Sequence, residues 1–335
     1  MLAMYPEPRW LYTFGLWVII LLCSACSIVP KVELNSDSIK QLPRHHEITA
    51  TPFYPQDEYQ CGPAALAMVL TYYGHERQPH ALTPWIFTPD AKGSFPAEMD
   101  AVARKEGFLS YPINDMTQLL QEVAGNHPVL VLQNLGTDWL TRWHFAVVVG
   151  FDLDRQEIVL RSGALERRVT PINVFDHTWQ RGERWGRVIL PPTQTPATAQ
   201  APLFLRAASD LEQTGPIQAA EQAYATAMQH WPDQPLAMFG LANVQLQQTH
   251  YAAASQTFAQ LLAQKPTLAP AWNNYAYALR GLGCPVAAAQ AAQCATQLAP
   301  DNRDFAASAH ELTKSSDDEK PSCPAIHCPI QNPSR

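Results

Sequence analysis

Hydrophobic positions follow two different periods in the first half of the chain. Some segments place apolar residues at helical spacing and begin at a capping residue or end at glycine, which is typical of helices that pack on a core. Other segments are short apolar runs between polar turns, which predict strands. The mixture predicts an α+β domain over residues 48–192. Its predicted helices are 62–73, 94–105 and 115–124, and its predicted strands are 129–133, 144–150, 157–161 and 185–190.

The second half is rich in Ala, Gln and Leu, and it repeats itself every 34 residues. Prolines mark the ends of helices, small residues recur where paired helices approach closely, and large residues fill the positions between them. The pattern resembles the tetratricopeptide repeat and predicts an all-α solenoid over 201–313, with three repeats and a capping helix. The phased positions are Pro232, Pro266 and Pro300; Ala208, Ala242 and Ala276; Ala220, Ala254 and Ala288; Phe204, Met238 and Trp272; and Tyr224, Phe258 and Ala292.

Two proline-containing segments border the repeats, and they predict a linker at 193–200 and a disordered tail at 314–335. The first helix of each repeat is expected to line a concave face that binds a peptide or protein partner. Because this face is polar and not strongly charged, its binding should depend only mildly on salt. Its predicted residues are Asn243, Gln247, Asn273, Asn274 and Tyr277.

The amino terminus carries a short apolar run at 14–22, which is too short to span a bilayer and fits a signal peptide. The run ends in Cys23-Ser-Ala-Cys26, which resembles the bacterial lipobox. The resemblance implies a signal peptide over 1–25, a lipid on Cys26 and a tether over 26–47. We therefore expect a lipid-anchored protein of the bacterial cell envelope that faces the periplasm, on the outer rather than the inner membrane. An ordinary cleaved signal and an uncleaved anchor are the alternatives.

Charge and motif content exclude several classes of protein. A net charge of −7 argues against a nucleic-acid binder that works by bulk positive charge. The sequence has no P-loop, no His-Glu-x-x-His and no paired Cys-x-x-Cys, so we expect no ATP-driven step, no metal and no cofactor.

The seven cysteines are too few for a disulfide scaffold. Cys284 and Cys294 lie ten residues apart on one predicted helix, about 15 Å of rise, which excludes a bridge between them. Cys323 and Cys328 are expected to close a small loop with each other or to remain free thiols.

Cys61 stands where a loop meets the apolar helix of residues 62–73. The free amides and the positive end of the helix dipole stabilise a thiolate there, as a cysteine nucleophile requires. A glutamine a few residues upstream can donate its amide N–H to an oxyanion, together with the backbone N–H of Cys61. Gln56 is the first candidate for this donor and Gln60 the second. A buried structural cysteine is the alternative reading of Cys61.

His144 opens an apolar strand 83 residues after Cys61. The order of a cysteine at a helix start and then a histidine at a strand start is that of the papain-like enzymes. Ten other histidines show that the residue type is not scarce, so only its position distinguishes His144.

These segments resemble the bacteriocin leader-processing (double-glycine) cysteine peptidases, and more closely a lipoprotein branch in which that domain precedes tetratricopeptide repeats. The likeness is carried by residues 56–70, 125–136 and 143–152. It implies a papain-like α+β fold with Cys61 as nucleophile, His144 as general base and Gln56 as oxyanion donor. It also implies that the thiol and imidazole can form an ion pair before substrate binds.

The sequence departs from that family at the third member of the triad. The family has an aspartate about sixteen residues after the histidine, but residues 160–163 contain no carboxylate. Four possibilities remain for the third position: Ser162, Asn134, a backbone carbonyl, or a Cys-His dyad without a third member. Asp152 and Asp154 are expected at the far end of the hairpin.

The function predicted from the sequence is a lipid-anchored cysteine peptidase that cleaves a peptide or protein through a thioester, with the repeats docking a partner. Acyl transfer to an amine is a second enzymatic possibility, because an amine can take the same thioester. The non-enzymatic alternative is a peptidase-like scaffold or binding lipoprotein, which the missing aspartate favours.

Overall fold

A computed structural model describes residues 37–57, 59–90, 93–313 and 322–329. The predicted signal peptide, the lipidation of Cys26, most of the tether and most of the tail lie outside these residues. Within the described part of the chain, no helix has the length and apolar character needed to cross a bilayer.

One antiparallel sheet of seven strands forms the centre of the first domain. Six strands follow the order β2-β7-β3-β4-β5-β6, and β1 pairs with the far end of β4. The sheet therefore takes in residues from the segment predicted to be a tether. The strands are β1 His45–Glu47, β2 Leu109–Ile113, β3 Val129–Asn134, β4 Trp143–Asp152, β5 Glu157–Ser162, β6 Leu165–Pro171 and β7 Gly186–Leu190.

The six helices of this domain include one that lies in the middle of its core. Residues 62–70 of α2 are all buried, and α2 packs against β4. The side chain of Asp115 caps α5 by accepting a hydrogen bond from the Gln118 amide, and Glu98 accepts one from the Phe95 amide at the start of α4. The helices are α1 Asp37–Lys40, α2 Cys61–Tyr72, α3 Pro79–Ile86, α4 Pro96–Lys105, α5 Met116–Ala124 and α6 Ile172–Gln180.

Three helix pairs and a final helix form the second domain, which confirms the predicted repeats. The phased alanines are fully buried at the helix contacts, and Phe204, Met238 and Trp272 are buried between the helices. Each first helix has a proline in its first turn, where the missing N–H is not needed. The helices are α7 Ala201–Thr214, α8 Ile217–His230, α9 Pro235–Gln247, α10 Tyr251–Gln264, α11 Ala269–Leu282, α12 Pro285–Leu298 and α13 Arg303–Thr313.

The segment predicted to be a linker is held against the first domain. The carboxylate of Glu122, which is 0% exposed, accepts hydrogen bonds from the Ala197 amide, the Thr198 amide and hydroxyl, and His127 Nδ1. Helix α7 then packs on β2 and α4, so one core continues from the sheet into the first repeat.

The end of the chain corrects two predictions. Cys323 forms a disulfide with Cys284, and Cys328 forms one with Cys294. Both expectations for Cys323 and Cys328, a mutual loop or free thiols, are therefore wrong, and so is a disordered tail at residues 322–329. The exclusion of a bridge between Cys284 and Cys294 holds. Cys284, the residue before α12, and Cys294, within α12, are each bonded to a cysteine of the tail, with Cα atoms 5.6 and 5.5 Å apart.

Candidate active site

Cys61 is the first residue of α2 and the free cysteine among the described residues. The preceding residue, Gln60, provides no side-chain cap, so the first-turn amides of α2 are not taken up by a capping side chain. Burial raises the pKa of the Cys61 thiol, while hydrogen bonds from the backbone of Phe145, Gly62 and Cys61 itself lower it. The net direction is upward, and the contact with Phe145 places the sulfur beside the residue that follows His144.

His144 is the second residue of β4 and lies opposite Gln133 of β3. Its Nε2 lies 2.8 Å from the hydroxyl of Ser162, which is 2% exposed. Nδ1 is therefore the ring nitrogen left for the proton of a thiol. Burial, together with the positive charges of Arg168 and Arg142, lowers the pKa of His144 to about 4.

These two shifts favour an uncharged thiol and an uncharged imidazole at neutral pH. The ion pair expected from the sequence does not fit this environment, because burial opposes both charges and no described carboxylate contributes to the pKa of His144. The arrangement instead suits a histidine that takes the thiol proton as the sulfur attacks a carbonyl.

The two candidate glutamines occupy different surroundings. The side-chain oxygen of Gln56, Oε1, accepts a hydrogen bond of 2.7 Å from the Gly163 amide. The side-chain nitrogen of Gln56, Nε2, lies 3.2 Å from the backbone carbonyl oxygen of Phe145 and 3.4 Å from that of Cys61. Gln56 is thus held between the nucleophile, the histidine strand and the turn after Ser162. Gln60 instead accepts a hydrogen bond from the Thr83 hydroxyl in α3.

Asn134 serves the loop between β3 and β4 and not the histidine. Its side-chain oxygen accepts hydrogen bonds from the amides of Gly136 and Arg142, and its Nδ2 donates to the carbonyl of Thr137. Of the two candidates for the third position, only Ser162 has a hydrogen bond with His144.

Asp152, which ends β4, and Asp154, in the turn after it, lie where the sequence predicted. Asp152 accepts hydrogen bonds from the amides of Asp154 and Arg155 in the β4–β5 turn, and Asp154 pairs with Arg44. They stand at the opposite end of β4 from His144.

The structure adds neighbours that the sequence did not indicate. Arg168 belongs to β6, a strand that was not predicted, and the Gly163 amide holds Gln56. The sequence offered one sign of the role of Gly163: the end of the second hairpin strand reads Ser-Gly, with no carboxylate. Among the described residues, no group of His, Cys, Asp and Glu is arranged to hold a metal ion.

Comparison with known proteins divides the chain in the same way. Residues 48–184 match the model of the Peptidase_C39 like family, and residues 213–282 match a tetratricopeptide repeat model. A solved structure of a C39-like peptidase from Bacillus anthracis is similar at 15% identity, with a TM-score of 0.38, over 44% of this chain and 97% of its own. None of the curated proteins matches the chain. The chain therefore combines a C39-like peptidase domain with tetratricopeptide repeats.

Proposed function

We propose that the protein is a lipid-anchored, periplasm-facing cysteine peptidase that cleaves a peptide or protein substrate at Cys61. The observation that carries this proposal is the hydrogen bond between His144 Nε2 and the buried Ser162, together with a free Cys61 at a helix start whose thiol lies by the backbone of Phe145, the residue after His144. A histidine that is held by one ring nitrogen keeps the other nitrogen for proton transfer. A cysteine with a purely structural role would not need such a histidine.

In the proposed reaction, the Cys61 sulfur attacks the carbonyl carbon of the scissile peptide bond while His144 Nδ1 takes the thiol proton. The carbonyl oxygen becomes an oxyanion that the backbone N–H of Cys61 and the side-chain amide of Gln56 can stabilise. The contact between Gln56 Nε2 and the Cys61 carbonyl is long, at 3.4 Å, so the amide can exchange it for a bond to substrate.

Collapse of this intermediate breaks the C–N bond, and His144 returns its proton to the leaving amine. Water then attacks the thioester, again with His144 as base, and releases the acid product and the Cys61 thiol. Because the resting pair is uncharged, the proton moves during the attack and not before it.

The test is incubation of the purified protein with a mixture of synthetic peptides, followed by mass spectrometry of the products. The matched control is Cys61→Ala prepared in the same way. New peptide ends that form only with the natural cysteine support the proposal. Identical product patterns from both proteins count against it.

A non-catalytic scaffold is the second candidate, and one observation favours it. No described carboxylate contributes to the pKa of His144, while two arginines oppose its protonation, which makes it a weak base. A scaffold would bind peptides equally well with Cys61→Ala and would cleave none of them.

The pH profile of turnover should follow His144. The base is available only when the imidazole is neutral, so we expect activity to rise through about pH 4 and to stay level through neutral pH. An initial-rate series from pH 3 to 8 measures this, at about one-unit intervals. A midpoint near the ordinary histidine value would contradict the buried, uncharged state.

Ser162 should act as a positioning residue for His144. Its hydroxyl can accept from Nε2–H or donate to Nε2, so it holds the ring without imposing one tautomer, whereas a carboxylate only accepts. Ser162→Ala should lower kcat about ten-fold, in line with one lost hydrogen bond. Ser162→Asp should move the acidic limb of the same profile to higher pH, which a merely structural serine would not do.

We place the protein at the cell envelope because its two disulfides suit an oxidising compartment. Cys26→Ser, expressed in a Gram-negative host, should move from the detergent phase to the aqueous phase of a phase partition. Retention in the detergent phase would instead make the apolar segment 14–22 the anchor.

The repeats supply the proposed docking face. Asn274 donates to Asn243 across neighbouring first helices at 2.9 Å, and Tyr277 donates to Ser308 of α13. The polar face is thus partly pre-ordered, which lowers the entropy lost when a peptide binds. The core that the first repeat shares with the sheet also includes Ala237, Leu241 and Val244 of the second repeat, whereas the buried hydrophobic residues of the third repeat belong to a separate cluster. The third repeat is therefore the one expected to serve a partner with the least effect on the peptidase domain.

A further inference from the structure

Two arginines flank His144 without a carboxylate partner. Arg142 precedes it by two residues, and Arg168 lies on β6, the last strand of the sheet. Both are exposed, and neither side chain has a hydrogen bond or ion pair among the described residues. The neighbouring Arg167 differs, because it pairs with Glu47 at 2.9 Å.

Strand register places Arg168 on the face of the sheet that carries His144. Val148 lies opposite Leu160, and Leu160 lies opposite Arg168, so these three share one face. Alternate residues of β4 lead from Val148 to His144 on the same face. Arg142 directly precedes the strand, and its charge acts on His144.

Among the described residues, the groups that act on the His144 ring are the Ser162 hydroxyl from β5 and the charges of Arg168 and Arg142, and the Cys61 thiol lies by the backbone of the next residue, Phe145. Two positive charges that act on the candidate base attract an anionic group of whatever binds there.

We propose that Arg142 and Arg168 form a subsite for a carboxylate of the peptide substrate, either an acidic side chain or the terminal carboxylate. This proposal rests on the proposed function, since it assumes that peptides approach Cys61. A bound carboxylate offsets the positive potential at His144 and brings its pKa back up. An acidic substrate thereby strengthens the base that its own cleavage requires.

The test compares how fast iodoacetate and iodoacetamide alkylate Cys61 in the full chain at mildly alkaline pH. In both reactions the sulfur forms a bond to the CH₂ carbon, iodide leaves and the thiol proton passes to buffer. The ratio of the two rates cancels changes in thiol pKa and reports the local potential. For Arg142→Gln/Arg168→Gln we expect the iodoacetate to iodoacetamide ratio to fall about five-fold at low ionic strength, and less in high salt.

Arg155→Gln is the matched control, because Arg155 is an exposed arginine in the turn at the other end of β4. It should leave the ratio unchanged. A ratio that is the same in the double variant and the natural protein would overturn the subsite. Mass spectrometry of the fragment that contains Cys61 restricts the measured alkylation to this thiol. The alkylation rate does not depend on peptidase activity, so the test remains valid even if the protein cleaves no substrate.

The source of the carboxylate is resolved by protection of Cys61 from iodoacetamide. Three otherwise identical peptides are compared: a neutral amide, the same amide with one glutamate, and the neutral sequence with a free carboxyl end. Better protection by the second assigns an acidic side chain, and better protection by the third assigns the terminal carboxylate. If neither protects better than the neutral amide, the arginines do not bind substrate.

Discussion

Replacement of either Cys61 or His144 by alanine should reduce turnover to background, on the order of 10⁶-fold for residues that act as one unit. The sulfur forms the bond to substrate, and the imidazole both removes the thiol proton and protonates the leaving amine. Neither step proceeds without the other, so the double variant should lose no more than a single one. The measurement is kcat for the best peptide found in the product screen.

His177→Ala is the matched control for the histidine, because His177 is exposed on α6 and has no part in the site. It should retain full activity. Additive losses in the double variant would mean that Cys61 and His144 act separately, and the proposed mechanism would fail. Unchanged thermal unfolding of all variants excludes misfolding as the cause.

The nucleophile helix and the hairpin strands could be predicted because their signals are local. A helix that is buried on almost every side gives a continuous apolar run after Cys61, and β3 to β5 give apolar runs with clear turns. By contrast, β6 is mostly exposed and reads Leu-Glu-Arg-Arg-Val-Thr-Pro, which has neither alternation nor an apolar run. The position of Arg168 near His144 could therefore not be predicted from the sequence.

The choice between Ser162 and Asn134 depends on strand register, which the sequence does not carry. The pairing of β4 with β5 contains an irregularity between Val148 and Gly150, and such an offset changes which residue reaches the histidine. The ionisation of the pair is also a tertiary property. A thiol at a helix start suggests a thiolate, but burial by the surrounding domain reverses that preference.

Disulfide connectivity was missed for a related reason. Four cysteines allow three pairings, and the spacing of Cys284 and Cys294 only excludes one. The composition of the tail predicts disorder, whereas the cysteines at 323 and 328 hold residues 322–329 against the last helix pair, where Ile326 also contacts the core.

Loss of these two bridges should have the largest effect on stability. Each closes a long stretch of chain, with sequence separations of 39 and 34 residues. Closing a loop of that size removes about 4 kcal/mol of unfolded-state entropy. With one bridge intact, the other closes a path of about fifteen residues through α12, worth about 3 kcal/mol. We therefore expect Cys294→Ser/Cys328→Ser to destabilise the last repeat by about 3 kcal/mol, and removal of all four cysteines by about twice that.

Urea unfolding followed by helical circular dichroism measures the effect, with and without a reductant. Because each repeat contacts mainly its neighbours, the loss should appear as early melting of the last helix pair and not of the sheet domain. Cys61→Ser is the control, since it removes a thiol that forms no bridge. A reductant should shift the natural protein to the midpoint of the variant lacking all four cysteines. If the reductant leaves the unfolding midpoint unchanged, the bridges do not form in the folded protein. The disulfides would then no longer support an oxidising compartment.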